Sequence, residues 1–218
     1  TIDSPPTFTS FIDRFLATTE AYGVTAVLLF NKIDVNDESS QKIVEDLTTL
    51  YEGIGYQCLS ISAVTGTNLE AVKTLMIGKS SMFAGHSGVG KSTLVNAIEP
   101  GLNIKTKEIS EQHKQGQHTT TFAEMFDLSF EAQIIDTPGI KGFGVVDMEA
   151  SEIDNYFPEL FALKQGCKFN NCLHLHEPQC AVKSALENNQ IAASRYKSYI
   201  QILEGDEEHY RTDNYESK

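Results

Sequence analysis

The sequence predicts an α/β fold with a doubly wound sheet, followed by a small helical domain that carries a cluster of cysteine and histidine residues. Two observations indicate the sheet: apolar, β-rich runs alternate with segments of helical apolar spacing, and polar motifs directly follow the apolar runs. Ligands of such sheets bind at the carboxyl ends of the strands. After about residue 150 the alternation stops. We therefore divide the chain into a sheet domain at 1–150 and a helical domain at 151–218.

Each element is assigned from the spacing of its apolar residues. The first helix has apolar side chains at Phe11, Ile12, Phe15 and Leu16, which share one face. The run at 24–30 is continuously apolar, as in a parallel strand that is buried on both faces. The predicted helices are 8–22, 40–51, 69–75 and 91–98, and the predicted strands are 24–30, 56–61, 80–84, 122–128 and 132–135.

The composition excludes some classes of protein. The 218 residues are 40% hydrophobic, which is enough for a buried core, and they carry a net charge of −13. This charge argues against an extended polyanion-binding surface, so a nucleic-acid partner would need a local basic patch. No apolar run is long enough to span a bilayer, so we expect no membrane partner. The polar, proline-containing start is unlike a signal peptide.

A phosphate-binding loop lies between a predicted strand and a predicted helix. Its pattern, G-x-x-x-x-G-K-[ST], starts at Gly85 and ends at Ser92. The glycines let backbone N–H groups wrap a β-phosphate, Lys91 brings a charge to the β- and γ-phosphates, and Ser92 offers a hydroxyl to Mg²⁺. The N-terminus of the following helix attracts the same anion. The candidate nucleotide-binding residues here are Gly85, His86, Ser87, Gly88, Val89, Gly90, Lys91, Ser92 and Thr93.

A second phosphate motif, Asp136-Thr137-Pro138-Gly139, follows the predicted strand 132–135. We expect Asp136 to hold Mg²⁺ through water and the Gly139 N–H to face the γ-phosphate. The same residue types also form ordinary turns. Their position behind a phosphate loop favours the nucleotide site.

The base is predicted from the sequence Asn31-Lys32-Ile33-Asp34. A carboxylate at Asp34 can accept hydrogen bonds from guanine N1–H and the 2-amino group, whereas adenine offers neither donor. Lys32 would pack its stem over the ring, and Asn31 would tie the loops together. These residues favour GTP over ATP.

A second guanine loop, Ser62-Ala63, follows the predicted strand 56–61, and a backbone N–H there can meet guanine O6. The order of the motifs is unusual. In an ordinary GTPase the phosphate loop comes first, whereas here the guanine motif precedes it by about fifty residues. The P-loop GTPase sheet is therefore predicted to be circularly permuted, with the guanine motifs before the phosphate loop.

Groups for hydrolysis are expected between the two phosphate motifs. Segment 116–121 offers a threonine that would sense the γ-phosphate through Mg²⁺; we favour Thr120, with Thr119 as the alternative. Ile140 stands where Ras-like proteins carry a water-positioning glutamine. Another residue must orient the attacking water, and His118 is the best local candidate. The predicted catalytic residues are His118, Lys91 and Thr120, and the predicted Mg²⁺ ligands are Ser92 and Thr120.

The C-terminal part contains a cysteine and histidine cluster with metal-ligand spacing. The candidate ligands are Cys167, Cys172, His174 and Cys180. Three thiolates and one imidazole suffice for a closed, tetrahedral, structural Zn²⁺ site. His176 is an alternative to His174, because spacing does not separate them. Cys58 lies inside a predicted strand and is interpreted as a core residue, and metal ligation is favoured over disulfides.

In combination these motifs resemble the ribosome small subunit-dependent GTPase A (RsgA) family over nearly the whole chain. The matching stretches are 11–16, 31–34, 85–93, 118–121, 136–139 and 167–180, the last including Glu177-Pro178. The resemblance implies a bacterial cytoplasmic GTPase that binds the small ribosomal subunit and its rRNA late in assembly and leaves after hydrolysis. It favours His174 as zinc ligand and His118 as the residue that supports hydrolysis. We expect one Zn²⁺ per chain, Mg²⁺ with GTP, and a monomer.

The family also carries an N-terminal OB-fold domain, for which this chain has no room. We expect residues 1–10 to be the end of the segment that joins that domain, and the chain, which lacks an initiator methionine, to be a fragment.

Two other functions are considered. The first is a nucleotide-dependent binding switch or assembly placeholder with negligible turnover, an idea that Ile140 supports. The second is a zinc-stapled RNA-binding module with a degenerate nucleotide site. The intact Lys91, Ser92 and Asp136 count against the second.

Overall fold

The computed structural model describes residues 1–102, 124–136 and 148–205, with only the backbone of Asp136. In these ranges the chain forms α-helices, strands and short 3-10 turns. The helices are α1 Thr9–Ala21, α2 Glu38–Gly53, α3 Leu69–Met76, α4 Lys91–Ile98, α5 Pro158–Lys164, α6 Ala181–Glu187 and α7 Ala193–Leu203. The strands are β1 Val27–Phe30, β2 Gln57–Ser60, β3 Ser80–Ser81, β4 Glu124–Asp127 and β5 Gln133–Asp136.

Each helix and strand predicted before residue 136 has a counterpart in the structure, and the differences lie mainly at strand ends. Strand β1 begins at Val27 rather than at residue 24. Gly23 adopts a left-handed φ of 63°, and the Val24 N–H donates to Thr19 O at 2.9 Å. The residues after α1 therefore complete its C-terminal cap, and the strand starts only after them.

Two compact units divide the chain, and each has its own core. Unit 1 consists of Thr1–Pro6, Leu28–Thr48 and Cys58–Gly142. Unit 2 consists of Thr7–Val27, Thr49–Gln57 and Phe143–Lys218. The units group α1 with the C-terminal segment, although it is distant in sequence. The predicted domain division at residue 150 runs along the sequence and stays a prediction.

In unit 1, β5 is the central strand of a three-stranded sheet with the order β3-β5-β4. Strands β3 and β5 are parallel, with Ser81 opposite Ile134, and β4 is antiparallel to β5. Because β3 and β5 run in the same direction, their carboxyl ends lie at the same edge of the sheet. The phosphate loop follows β3, and β5 ends at Asp136. Both phosphate motifs thus start from neighbouring strand ends, as ligand sites of such sheets require.

Strands β1 and β2 form a separate two-stranded sheet. The guanine motif directly follows β1, and the Ser62-Ala63 loop comes shortly after β2. Backbone hydrogen bonds between the two segments continue beyond the ends of β1 and β2. The Ile61 N–H donates to Phe30 O at 2.8 Å, and the Ile33 N–H donates to Ile61 O at 3.3 Å. These two bonds hold the guanine loops side by side.

The core of unit 1 is made by α3, α4 and the sheet. The buried residues include Val72 of α3, Leu94 and Ile98 of α4, Ile61 and Ile134. Burial of each such side chain contributes about 1.5–3 kcal/mol relative to exposure. Helix α4 is thereby fixed against the sheet, so the phosphate loop before it has a rigid support. Cys58 is also buried, with 7% of its surface exposed, which confirms its interpretation as a core residue.

The core of unit 2 is formed by helices that lie far apart in sequence. Phe157, Leu160, Val182 and Tyr199 are fully buried, and Ala17 of α1 packs with them. The rings of Phe157 and Tyr199 meet edge to face at 5.7 Å. Helix α1 packs on α7 through this core.

A buried ionic network also joins α1 to α5 and α7 in unit 2. Arg195 donates to Asp13 at 2.8 Å and to the two carboxylate oxygens of Glu159 at 2.6 and 3.1 Å. Asp13 also accepts from Tyr51 at 2.8 Å and from Ser198 at 2.5 Å. Asp13 and Arg195 are essentially inaccessible to solvent. The donors and acceptors of this network are therefore paired within the protein, as buried ions require.

None of the described helices is both long enough and apolar enough to cross a bilayer.

Candidate nucleotide and metal sites

The phosphate loop owes its shape to three glycines. Gly85, Gly88 and Gly90 have backbone φ angles of 148°, 83° and 96°, which residues with a Cβ rarely adopt. Space is also limited, because a Cβ on Gly90 would lie 2.5 Å from Asn31 Nδ2. Gly90 therefore permits the close approach of the guanine motif to the start of α4.

Lys91 closes the phosphate loop on itself. Its ammonium donates to the carbonyl oxygens of Gly85 and His86, at 2.7 and 2.8 Å. Burial lowers the pKa of Lys91 below its usual value. A nearby anion would favour the charged form, so this position suits a phosphate.

Asn31 connects three loops of unit 1 and is 9% exposed. Its amide nitrogen donates to Val89 O of the phosphate loop at 2.9 Å. Its amide oxygen accepts from the Ala63 N–H at 3.1 Å. The side chain thus ties the first guanine loop to both the phosphate loop and the second guanine loop, as the sequence predicts.

Lys32 and Asp34, which follow Asn31 in the same motif, are also held in defined positions. Lys32 has a left-handed φ of 69°, and its ammonium donates to Gly88 O at 2.7 Å and to Ser4 O at 2.5 Å. The Asp34 carboxylate accepts from the buried hydroxyl of Ser62 at 2.5 Å. Asp34 itself is exposed, so one of its oxygens is anchored while the side chain stays accessible to a ligand.

Several predicted residues of the nucleotide site lie outside the described residues. These are His118, Thr119, Thr120, Gly139 and Ile140. Asp136 is described only through its backbone, which ends β5. The Ala63 N–H, predicted to contact guanine O6, donates to Asn31, and its role toward a base stays a prediction.

Unit 2 brings the four predicted metal ligands together. The donor atoms of Cys167, Cys172, His174 and Cys180 all lie within 4.8 Å of one another. The sulfur atoms of Cys167 and Cys180 are 3.8 Å apart, and His174 Nδ1 lies 3.7 and 3.3 Å from them. An edge of about 3.8 Å is what a tetrahedron with metal–sulfur bonds of about 2.3 Å requires. The four residues therefore form a cluster that could hold a metal ion, whereas His176 is exposed and lies outside it.

The electrostatics of this cluster also fit a cation. Burial, followed by the proximity of Cys180 and Cys167, raises the pKa of the Cys172 thiol to about 12. Burial also raises the pKa of Cys180. A raised pKa means that the thiolate form is disfavoured unless a positive charge lies close by, and a metal ion would supply that charge.

A carboxylate orients the histidine of the metal cluster. His174 is fully buried, its Nδ1 faces the sulfur atoms, and its Nε2 lies 3.2 Å from Asp154 Oδ2. The other oxygen of Asp154 accepts from Lys164 at 3.0 Å. This carboxylate–histidine pair fixes the ring with Nδ1 toward the metal position, as in many zinc sites.

The chain matches the RsgA GTPase family over residues 1–146. The chain belongs to the RsgA GTPase family. It is similar to the small ribosomal subunit biogenesis GTPase RsgA of Flavobacterium johnsoniae, with 66% identity over 215 residues. That match covers 99% of this chain and 66% of the relative, so the chain spans about two thirds of the relative's length.

Two similar solved structures confirm the fold. YjeQ from Thermotoga maritima matches with a TM-score of 0.79 and 37% identity, covering 92% of this chain and 66% of that one. YloQ, described as a circularly permuted GTPase, matches with a TM-score of 0.75 and 30% identity, covering 92% and 63% of the two chains. The predicted circularly permuted P-loop GTPase fold is therefore confirmed.

Sequence reasoning on this RsgA-family chain missed groups that support the metal cluster. Asp154 and Lys164 carry no local motif, since Asp154 meets His174, and Lys164 meets Asp154, only through folding. Glu177 belongs to a stretch that matches the family, but its sequence position does not show that its carboxylate accepts from the backbone N–H groups of Leu173, Leu175 and His176, at 2.8, 2.8 and 3.1 Å. Burial alone would raise the pKa of Glu177, but these N–H groups hold it below its usual value. Glu177 thus shapes the loop that presents His174.

Proposed function

We propose that the chain binds GTP and hydrolyses it to GDP, in a cycle coupled to late maturation of the small ribosomal subunit and to release from it. The observation that carries this proposal is the Asn31 side chain, which bonds to Val89 of the phosphate loop and to Ala63 of the second guanine loop. Motifs for guanine and for phosphate thereby belong to one site in the permuted order. The ribosomal part is supported by the name of the Flavobacterium relative, a small ribosomal subunit biogenesis GTPase.

In the proposed site the guanine motif recognises the base. The Asp34 carboxylate would accept from guanine N1–H and the 2-amino group, and the Lys32 stem would cover the ring. The Ala63 N–H would be shared between guanine O6 and Asn31. The Ser62 hydroxyl, bonded to Asp34 at 2.5 Å, keeps the carboxylate oriented before a base arrives.

The phosphate motifs would hold the triphosphate and Mg²⁺. Lys91 would exchange its present carbonyl partners for β- and γ-phosphate oxygens, which offsets the cost of its burial. Ser92 and Thr120 would be ligands of Mg²⁺, and Asp136 would act through water. Gly139 would contact the γ-phosphate, and His118 would orient the attacking water.

In unit 2 we propose one structural Zn²⁺, bound by Cys167, Cys172, His174 and Cys180. Three sulfur donors and one imidazole suit zinc, and four protein ligands leave no open position for catalysis. When bound, the ion would neutralise the thiolates and cross-link the two ends and the middle of the segment 167–180.

We further propose rRNA of the small subunit as a binding partner, a cytoplasmic location and a monomeric state without a membrane partner. The location follows from the ribosomal partner.

The test is GTP turnover by the purified chain, with and without small ribosomal subunits. We expect slow turnover that subunits stimulate, and loss of both rates in Lys91→Ala. A chain that binds no guanine nucleotide would contradict the proposal. Because the relatives are longer, the same assay with a full-length homologue shows how much stimulation needs the additional residues.

A second candidate is a nucleotide-dependent binding switch or assembly placeholder with negligible turnover. The observation that favours it is Ile140, which cannot hydrogen-bond to water. Tight, GTP-dependent binding to the subunit without stimulated hydrolysis would indicate this function instead.

A further inference from the structure

Residues 1–6, here called the N-terminal strap, lie against the candidate guanine site of unit 1. The Ser4 carbonyl accepts from the Lys32 ammonium at 2.5 Å. The ring of Pro5 lies close to Gly88 of the phosphate loop, since a Cβ added at Gly88 would lie 3.5 Å from Pro5 Cδ. The strap thus contacts both the guanine motif and the phosphate loop, although it contains none of the predicted motifs.

The strap is also tied to a helix. The carboxylate of Asp3 accepts from the hydroxyl of Ser40 in the first turn of α2. Ser40 is 2% exposed, and its N–H donates to the Asp37 carboxylate at 2.8 Å. Because Ser40 is held rigidly, the Asp3 bond fixes the position of the strap.

Together these contacts immobilise the Lys32 side chain. Its ammonium has three N–H donors, and two of them are directed to the carbonyls of Ser4 and Gly88. A side chain held at its end also has a fixed stem, and the stem is the part that would cover a guanine ring. Because the Lys32 side chain is ordered before the nucleotide binds, it loses less conformational entropy on binding.

We propose that the N-terminal strap is a positioning element of the guanine site, which sets nucleotide affinity by holding Lys32. This inference rests on the proposed GTP-binding function. In the described part of the chain, Ser4 contacts Lys32 of the guanine motif and Asp3 contacts Ser40, so the strap acts on the base end of the site. Loosening the strap therefore weakens GDP and GTP binding alike, and it raises KM for GTP without changing kcat.

The experiment measures the dissociation rate of a fluorescent GDP analogue, mant-GDP, by stopped flow. We expect Asp3→Ala to raise this rate about fivefold, as the loss of one hydrogen bond predicts. Ser40→Ala removes the same bond from the other side and should have a similar effect. Asp3→Asn retains an acceptor and should stay close to wild type. Asp46→Ala removes an exposed carboxylate from α2 and serves as the matched control.

A double-mutant cycle separates positioning from general destabilisation. If the strap acts through Lys32, Asp3→Ala should add no further effect in the Lys32→Ala background. Wild-type dissociation rates in both Asp3→Ala and Ser40→Ala, or additive effects in the cycle, would overturn the strap proposal while leaving GDP binding intact. Failure of the wild-type chain to bind mant-GDP would instead overturn the proposed function.

Discussion

At the scale of single residues, base selectivity depends on the Asp34 carboxylate. Replacing it by an amide in Asp34→Asn removes an acceptor for guanine N1–H and the 2-amino group, while an amide can donate to the 2-oxo group of xanthine. We expect GTP affinity to fall at least about tenfold and xanthosine triphosphate affinity to rise. Titration calorimetry with both nucleotides measures this.

The control for that variant is Asp37→Asn, since Asp37 is an exposed carboxylate three residues away. Its oxygen accepts from the Ser40 N–H, and an amide oxygen can do the same. Unchanged GTP affinity in Asp34→Asn would remove the guanine assignment of the motif.

Hydrolysis is expected to depend on His118, which lies outside the described residues. His118→Ala should keep GTP affinity within a few-fold and lower turnover by roughly 10²-fold, as is typical of a group that positions water or transfers a proton. Single-turnover hydrolysis and nucleotide affinity are measured on the same preparation. Turnover at the wild-type rate would exclude His118 from the chemistry.

Asp154 should control how tightly the site formed by the three cysteines and His174 binds a metal ion. In Asp154→Ala the His174 ring loses the partner of its Nε2, so we expect metal affinity to fall by about 10- to 100-fold. Asp154→Asn retains an acceptor and should lose less. Competition with a chromophoric chelator gives the affinity, and Glu152→Ala, an exposed carboxylate on the same turn, is the control. Equal affinity in all these variants would show that Asp154 does not support the site.

Which residues the sequence could predict depends on how local their chemistry is. The bonds of Asn31 and the three clustered cysteines follow from short motifs with fixed spacing, whereas spacing leaves His174 and His176 open and only the family resemblance favours His174. Asp154 could not be predicted in this way, because it meets His174 across 20 residues through the packing of unit 2. The strap contact of Ser4 with Lys32 involves a backbone carbonyl, which any residue type provides.

At the scale of elements, the buried Asp13 holds α1 to the other helices of unit 2. Asp13→Ala leaves Arg195 buried with one partner fewer and removes one acceptor from Tyr51 and one from Ser198. We expect a loss of about 3 kcal/mol in the free energy of unfolding, which urea denaturation followed by circular dichroism measures. Lys42 and Asp46 form an exposed pair on α2, so Asp46→Ala should change stability little. Similar stability of the two variants would contradict the structural role of the network.

The elements themselves were predictable from periodicity, but their pairing was not. Strand β4 runs antiparallel to β5, and nothing in its residues, Glu124–Asp127, indicates that direction. Strand direction depends on the connection before the strand rather than on its side chains. Likewise, the apolar face of α1 was evident, whereas its packing on α7 depends on residues about 180 positions away.

At the scale of the whole molecule, the two sites lie in separate compact units. All described residues of the nucleotide site belong to unit 1, and the metal cluster belongs to unit 2. Cys172→Ser should therefore reduce bound zinc and the stability of unit 2, while mant-GDP affinity changes by less than about threefold.

Elemental analysis and thermal denaturation test this, with Cys58→Ala as the control that removes a buried thiol from unit 1. Full zinc content in Cys172→Ser, or thermal stability that survives chelation, would contradict a structural metal.

The contact of Asp13 with Arg195 joins residues 182 positions apart, and this has a consequence for synthesis of the chain. Translation at about 5–20 residues per second places roughly 10–40 s between the appearance of α1 and that of α7. During this interval the nascent α1 has neither its apolar neighbours nor the cation of its buried carboxylate. The helix must then remain solvated, associate transiently elsewhere, or be shielded by a chaperone. Helix α1 therefore completes its packing only after α7 has been translated, 182 residues later in the chain.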